Sequence, residues 1–281
     1  MCIRDSSLSA SVLNSITTQI AQIRALGAEV VLVSSGAVAA GRERIPAGTN
    51  QDSVANRQTL AAIGQPKLMS TYSDFFAKLD IEIAQALVSH RDMVDRISYL
   101  NVRNTLNSLL ALKIVPILNE NDVVSVDELS GEFSGDNDRL ASRVAQISSA
   151  DCLILLSDVD GLYTDNPKKN KKTKLIETVK KIDENIIKYA TKAENLYGSG
   201  GMKTKIDAAK ICQFSGCYMC IANGLNLRPI KEIIKKNFCT WFLPRLSKLD
   251  ARKKWIISSI SPKGELIIAV SYTHLTLPTK A

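Results

Sequence analysis

The chain of 281 residues is 45% apolar and only 5% aromatic, enough for a sizeable core in one large α/β domain or two small ones. Lys and Arg outnumber Asp and Glu by 36 to 28, but the +8 excess gathers in short runs such as 167–174. These lack the interleaved aromatics or recognisable module of a nucleic-acid binder and read as solvated loops. No apolar run reaches bilayer length and the start shows no basic-then-apolar leader, which argues against a membrane or secreted protein.

Residues 13–26 carry helical periodicity and end at Gly27, a good C-terminal cap. Val30-Val31-Leu32-Val33 is a continuous β-branched run, as in a strand buried on both faces. Ser34-Ser35-Gly36-Ala37 turns directly into an alanine-rich segment, and a polar loop follows to Asn56. A helix is predicted over 56–79, a strand over 81–88, a helix over 99–112 and a strand over 114–118. Asn119-Glu120-Asn121-Asp122 stands at the C-terminal end of that strand. Further on come a helix over 137–149, a strand over 151–156, a helix over 205–214, a strand over 217–222 and a helix over 227–236. A closing strand pair is expected at 256–260 and 265–269. Strands alternating with helices predict a mainly parallel sheet covered on both faces, with ligands at the C-terminal strand ends.

Tyr197-Gly198-Ser199-Gly200-Gly201-Met202-Lys203-Thr204-Lys205 is the strongest chemical signal. Its glycines let backbone approach a ligand, and the helix that follows offers N–H groups and a positive dipole end to an anion. It is not a Walker A loop, because Met202 stands where that motif needs glycine. Ser35-Gly36 offers a hydroxyl and N–H groups, and Asn119 with Asp122 offers donors and an acceptor suited to a zwitterion. Gly135-Asp136-Asn137-Asp138 opens a helix with two carboxylates, and Ser157-Asp158 suits ribose, phosphate or metal-bound water. Each of these, alone, is also the composition of an ordinary turn or helix cap.

Two apparent motifs are set aside. His90-Arg91-Asp92 resembles a protein-kinase catalytic triplet, but Ile97 stands where that motif wants Asn, so a structural role is expected. Cys217 and Cys220 have C-x-x-C spacing on a predicted strand, where residues three apart face opposite ways. The six cysteines follow no disulfide or metal framework and read as thiols of a reducing cytoplasm; no metal ligand is assigned.

Taken in order, these segments resemble the amino acid kinase family, and within it the members that phosphorylate free glutamate. The resemblance runs through Val31–Arg42, Pro116–Asp122, Gly135–Asp138, Leu155–Thr164, Gly198–Lys205 and Arg252–Ile256. It implies a three-layer αβα sandwich with a mainly parallel central sheet. It also implies ATP-dependent phosphorylation of the γ-carboxylate of L-glutamate, the entry step to proline, with Mg2+ bridging the phosphates. By matched position, Ser35, Asn119, Asp122 and Asn137 would bind glutamate. Ser157, Asp158, Ser199, Gly200, Gly201, Met202, Lys203, Thr204 and Lys205 would bind ATP. Lys205 would stabilise the transferring phosphoryl group, and Asp138 would orient the catalytic lysines.

The resemblance further implies a kinase domain over 7–269, with a glutamate lobe at 7–150 and a nucleotide lobe at 151–269. Residues 1–6 and 270–281 read as non-native ends. The family's first strand and its lysine find no counterpart, so the chain as written is expected to be a poor kinase. A cytoplasmic homo-oligomer, dimer or tetramer, with proline as feedback inhibitor is implied, without membrane or nucleic-acid partners. Acetylglutamate kinase, aspartokinase and a non-catalytic amino-acid-binding regulator are the alternatives.

Overall fold

The computed structural model describes residues 10–45, 54–125, 137–165, 170, 173–193, 201–226, 228–235 and 238–251. The expected closing strand pair at 256–269, both chain ends, Gly135-Asp136 and Ser199-Gly200 lie outside them.

Two sheets form the middle layer. In the first, β1 (Leu32–Val33) and β2 (Ile83–Val88) flank β3 (Val115–Glu120), all parallel. The second has the order β4 (Cys152–Ser157), β6 (Tyr218–Asn223), β7 (Cys239–Phe242), β5 (Thr178–Val179). Its β4 and β6 are parallel, as are β5 and β7, whereas β6 and β7 are antiparallel.

Strand alternation explains why helices cover both faces. On β3, Val115 and Ile117 enter one core with Leu13 and Ile16 of α1 (Ala10–Ala25) and Leu68 and Phe76 of α3 (Val54–Ala77). Leu118, pointing the other way, joins Tyr99 and Leu106 of α5 (Arg96–Ala111) and Val144 of α6 (Asn137–Ile147). On β6, Met219 and Ile221 pack with Ile206 and Ala209 of α8 (Met202–Ser215), while Cys220 and Ala222 meet Ile233 of α9 (Pro229–Ile234). Helix α6 serves both sheets, since Ala141 and Ala145 enter the α8 core and Val144 and Ile147 the α5 core. The result is an αβα sandwich.

Several elements depart from the expectations. The predicted helix at 99–112 starts earlier, at Arg96, because Asp95 caps it by accepting from the Ser98 N–H at 2.8 Å. His90-Arg91-Asp92 lies in α4 (His90–Val94), where the Asp92 carboxylate accepts from Ser89 N–H and Ser89 Oγ, each at 2.7 Å. That is the structural role expected of it. Cys217 and Cys220 do fall into cores on opposite sides of the second sheet. Helix α7 (Glu184–Ala193), strand β5 and the antiparallel β7 were not foreseen. Among the described residues no helix is long and apolar enough to cross a membrane.

Candidate functional site

Every polar cluster singled out above that is described sits at a C-terminal strand end or a helix start. The Ser34 N–H continues the ladder beyond β1 by donating to Leu118 O at 2.9 Å, so the Ser34–Gly36 loop lies beside the end of β3. Gly36 then turns the chain into α2 (Ala37–Arg42) with φ of 112°, a conformation that favours glycine. Asn119, buried near the end of β3, donates from Nδ2 to Gln65 Oε1 at 2.9 Å. Asp122 follows in the turn after β3 and is half-buried.

The charged centre lies where α6 meets α8. Asp138 is in the first turn of α6 and Lys205 in the first turn and a half of α8, and these helices pack together. Lys205 Nζ lies 2.8 Å from Asp138 Oδ2, and Lys205 is only 8% exposed. A buried ammonium needs such a partner, because desolvation of an isolated charge would be prohibitive. Thr204 Oγ1 donates to Gly201 O at 2.8 Å and stands 3.2 Å from the same Asp138 oxygen. Helix α8 opens at Gly201 in an extended conformation with no side-chain cap, which suits its first N–H groups to an anion. Lys203 is exposed beside them.

A cavity of about 660 Å³ runs between β1 and β4, and Ser35, Asn137 and Asp138 line it together. Among the described residues β1 pairs only with β3, and β4 only with β6. At the end of β4, Ser157 Oγ donates to the exposed Asp158 at 3.2 Å. Its backbone carbonyl accepts from Gly224 N–H at 2.7 Å, which ties this end to that of β6. Thus Ser35, Asn137 and Asp138 share one cavity and Asp138 meets Thr204 and Lys205. Asn119 instead turns to Gln65, and neither it, Asp122, Ser157 nor Asp158 lines that cavity. Ser199 and Gly200 lie outside the described residues.

Sequence reasoning passed over two side chains of α3. Gln65 is one. The other is Tyr72, whose hydroxyl is 2.8 Å from Ser34 Oγ. Burial pushes the Tyr72 phenol above its usual pKa, and the bond to Ser34 offsets part of that rise. The one local signal of either is a polar group on the otherwise apolar stripe that includes Leu68 and Phe76; their partners come from distant segments. Tyr72→Phe removes one buried hydrogen bond at constant shape, so a loss of about 1 kcal/mol is expected in denaturant unfolding, with an unchanged m-value.

Residues 4–223 match the amino acid kinase family. A glutamate 5-kinase of Pelagibacter ubique (strain HTCC1062) is 57% identical over 240 residues, 85% of this chain and 64% of that protein. One from Paramagnetospirillum magneticum (strain ATCC 700264 / AMB-1) is 43% identical over 256 residues, 91% of this chain and 68% of that protein. The chain therefore spans about two thirds of the length of these relatives. Among solved structures, a UMP kinase from Ureaplasma parvum aligns with a TM-score of 0.53 at 17% identity, over 84% of this chain and 93% of the other. An isopentenyl phosphate kinase substrate complex gives 0.51 at 17%, over 84% and 92%. These two likenesses concern the fold. The matched family span and the curated relatives show that the chain belongs to the amino acid kinase family, with glutamate 5-kinases among its relatives.

Proposed function

We propose that the protein transfers the γ-phosphoryl group of ATP to the γ-carboxylate of L-glutamate, forming γ-glutamyl phosphate at the entry to proline synthesis. The observation that carries this reading is the Lys205–Asp138 pair at the start of α8: a buried cation, fixed by a carboxylate from the first turn of α6. Phosphoryl transfer needs alignment and charge neutralisation more than covalent help. A carboxylate acceptor is already ionised at neutral pH, so no general base is called for.

In this reading residues 7–150 hold glutamate and 151–269 hold the nucleotide. Ser35, Asn119, Asp122 and Asn137 bind the amino acid. Ser157, Asp158 and 199–205 hold ATP, with Gly201, Met202, Lys203 and Thr204 meeting its phosphates through the helix start. Lys205 neutralises charge on the transferring group, and Asp138 orients it. Among the described residues no three His, Cys, Asp or Glu side chains gather to hold a metal. Magnesium is taken to enter as the nucleotide complex, as the family resemblance implies, where it would neutralise phosphate charge. A cytoplasmic homo-oligomer, dimer or tetramer, under feedback by proline completes the proposal; family resemblance is its support.

ADP release by the full-length gene product tests the substrate assignment. Glutamate is expected to stimulate release at least ten-fold over aspartate, N-acetylglutamate or UMP at equal concentration (about 1.4 kcal/mol of discrimination). Stimulation by aspartate, N-acetylglutamate or UMP instead of glutamate would move the chain to another substrate of the family. ATP binding with no stimulated release would indicate a regulator.

A further inference from the structure

We propose that Gln65 is a positioning residue for the amino-acid substrate and acts through Asn119; this rests on the proposed place of Asn119 at the glutamate end. The Asn119 carboxamide has two chemically different ends, a carbonyl and an NH2 group, and an ammonium can only use the carbonyl. Gln65 Oε1 accepts from Asn119 Nδ2 at 2.9 Å, and the two residues are 9% and 4% exposed. Flipping the Asn119 amide would bring two carbonyl oxygens together in a buried place. With Gln65 presenting Oε1 to Asn119, the bond commits Asn119 Nδ2 to Gln65 and leaves the Oδ1 carbonyl to accept from the substrate's α-ammonium.

A second observation points the same way. Gln65 Nε2 is buried and has no hydrogen-bond partner among the described residues. An orphaned buried donor is destabilising, and native structures tolerate few of them. A pair selected for stability alone would not keep it. A pair that also serves a bound polar molecule would.

The helix behind Gln65 is built to hold it still. Gly64 sits so close to α2 that a Cβ there would stand 1.8 Å from Ala37 O. Seven residues on from Gln65, Tyr72 meets Ser34 from the same helix. Helix α3 thus supports both the Asn119 end and the Ser34–Gly36 loop from a rigid element, as precise binding sites require.

Steady-state kinetics on the full-length gene product, comparing Gln65→Leu, Asn119→Ala, the double variant and Leu68→Ala, tests this. Leu68 is a fully buried core residue three positions along α3 and reports purely structural damage. Gln65→Leu is expected to raise the glutamate KM about ten-fold, as for a misoriented polar contact, and to leave the ATP KM within about two-fold. Its melting temperature should change little, because one buried unpaired donor replaces another. The double variant should be no worse for glutamate than Asn119→Ala alone, since both act through one contact. Leu68→Ala should lower the melting temperature and leave the glutamate KM unchanged. A glutamate KM within two-fold of wild type in Gln65→Leu overturns the proposal. So does an equal rise in the ATP KM, or full additivity with Asn119→Ala. A wild type inert toward glutamate removes the functional reading and this proposal together, whereas an active wild type with an insensitive Gln65→Leu overturns this proposal alone.

Discussion

Lys205→Met is expected to lower glutamate-dependent turnover about a thousand-fold, roughly 4 kcal/mol of transition-state stabilisation. Methionine keeps much of the apolar stem, so the packing beside the α8 core survives while the charge goes. Two effects then act in the same direction. The transferring phosphoryl group loses a cation placed before it arrives. Asp138, which pairs with Lys205 at 2.8 Å, then loses that cation and presents more negative charge to an incoming anion. Lys205→Arg should not rescue, because a planar guanidinium does not substitute for a compact ammonium at a position only 8% exposed. Asp138→Asn should be milder, about ten- to a hundred-fold, since the amide retains an oxygen acceptor for the ammonium but not the charge. Single-turnover kinetics with measured ATP affinity separates the chemical step from binding. A Lys205→Met enzyme retaining a tenth or more of wild-type turnover would remove Lys205 from the chemistry.

Gly64→Ala should be the most damaging single methyl addition in the described core near the site. The added Cβ would lie 1.8 Å from Ala37 O and 2.4 Å from Gly41 N, both backbone atoms of α2. Backbone cannot rotate away as a side-chain tip can, so the two helices must separate. Overpacking of this kind costs about 3 kcal/mol or more, against a gain of about 1 kcal/mol from helix propensity. Because α2 begins at the Ser34–Gly36 loop, the displacement also moves Ser35. The denaturation midpoint should fall, and the glutamate KM should rise more than the ATP KM. Stability equal to wild type would mean that the helices do not rely on this contact.

Much of this was legible in the sequence because the informative groups lie at strand ends. Apolar-rich runs marked β1, β2, β3, β4 and β6, and of the polar residues that follow them Ser35, after β1, lines the cavity with Asn137 and Asp138, whereas Asn119, Asp122, Ser157 and Asp158 do not. Asp138 and Lys205 are 67 residues apart in the chain. Their pairing is a fact of how α6 packs on α8; no local pattern encodes it. Most of what escaped notice was weaker in signal or non-local in origin. Strand β7 is a four-residue apolar stretch and β5 has two residues, too short for periodicity to speak. Helix α7 was legible, with Asp183 Oδ1 accepting from Ile186 N–H at 3.0 Å at its start and Ile186, Tyr189 and Ala190 at helical spacing on its core face, yet it was not foreseen. Gln65 and Tyr72 were hidden differently. Their partners, Asn119 and Ser34, come from distant segments, so only the folded chain gives these polar residues a reason to stand in an apolar stripe.

The most direct test is to trap the product. Incubating the full-length gene product with glutamate, γ-labelled ATP and hydroxylamine captures an activated γ-carboxyl group as the hydroxamate. Hydroxamate formed in step with ADP, only when glutamate is present and lost in Lys205→Met, is the expected result. ADP release without hydroxamate, or hydroxamate formed equally well by Lys205→Met, would contradict acyl phosphate formation at this site.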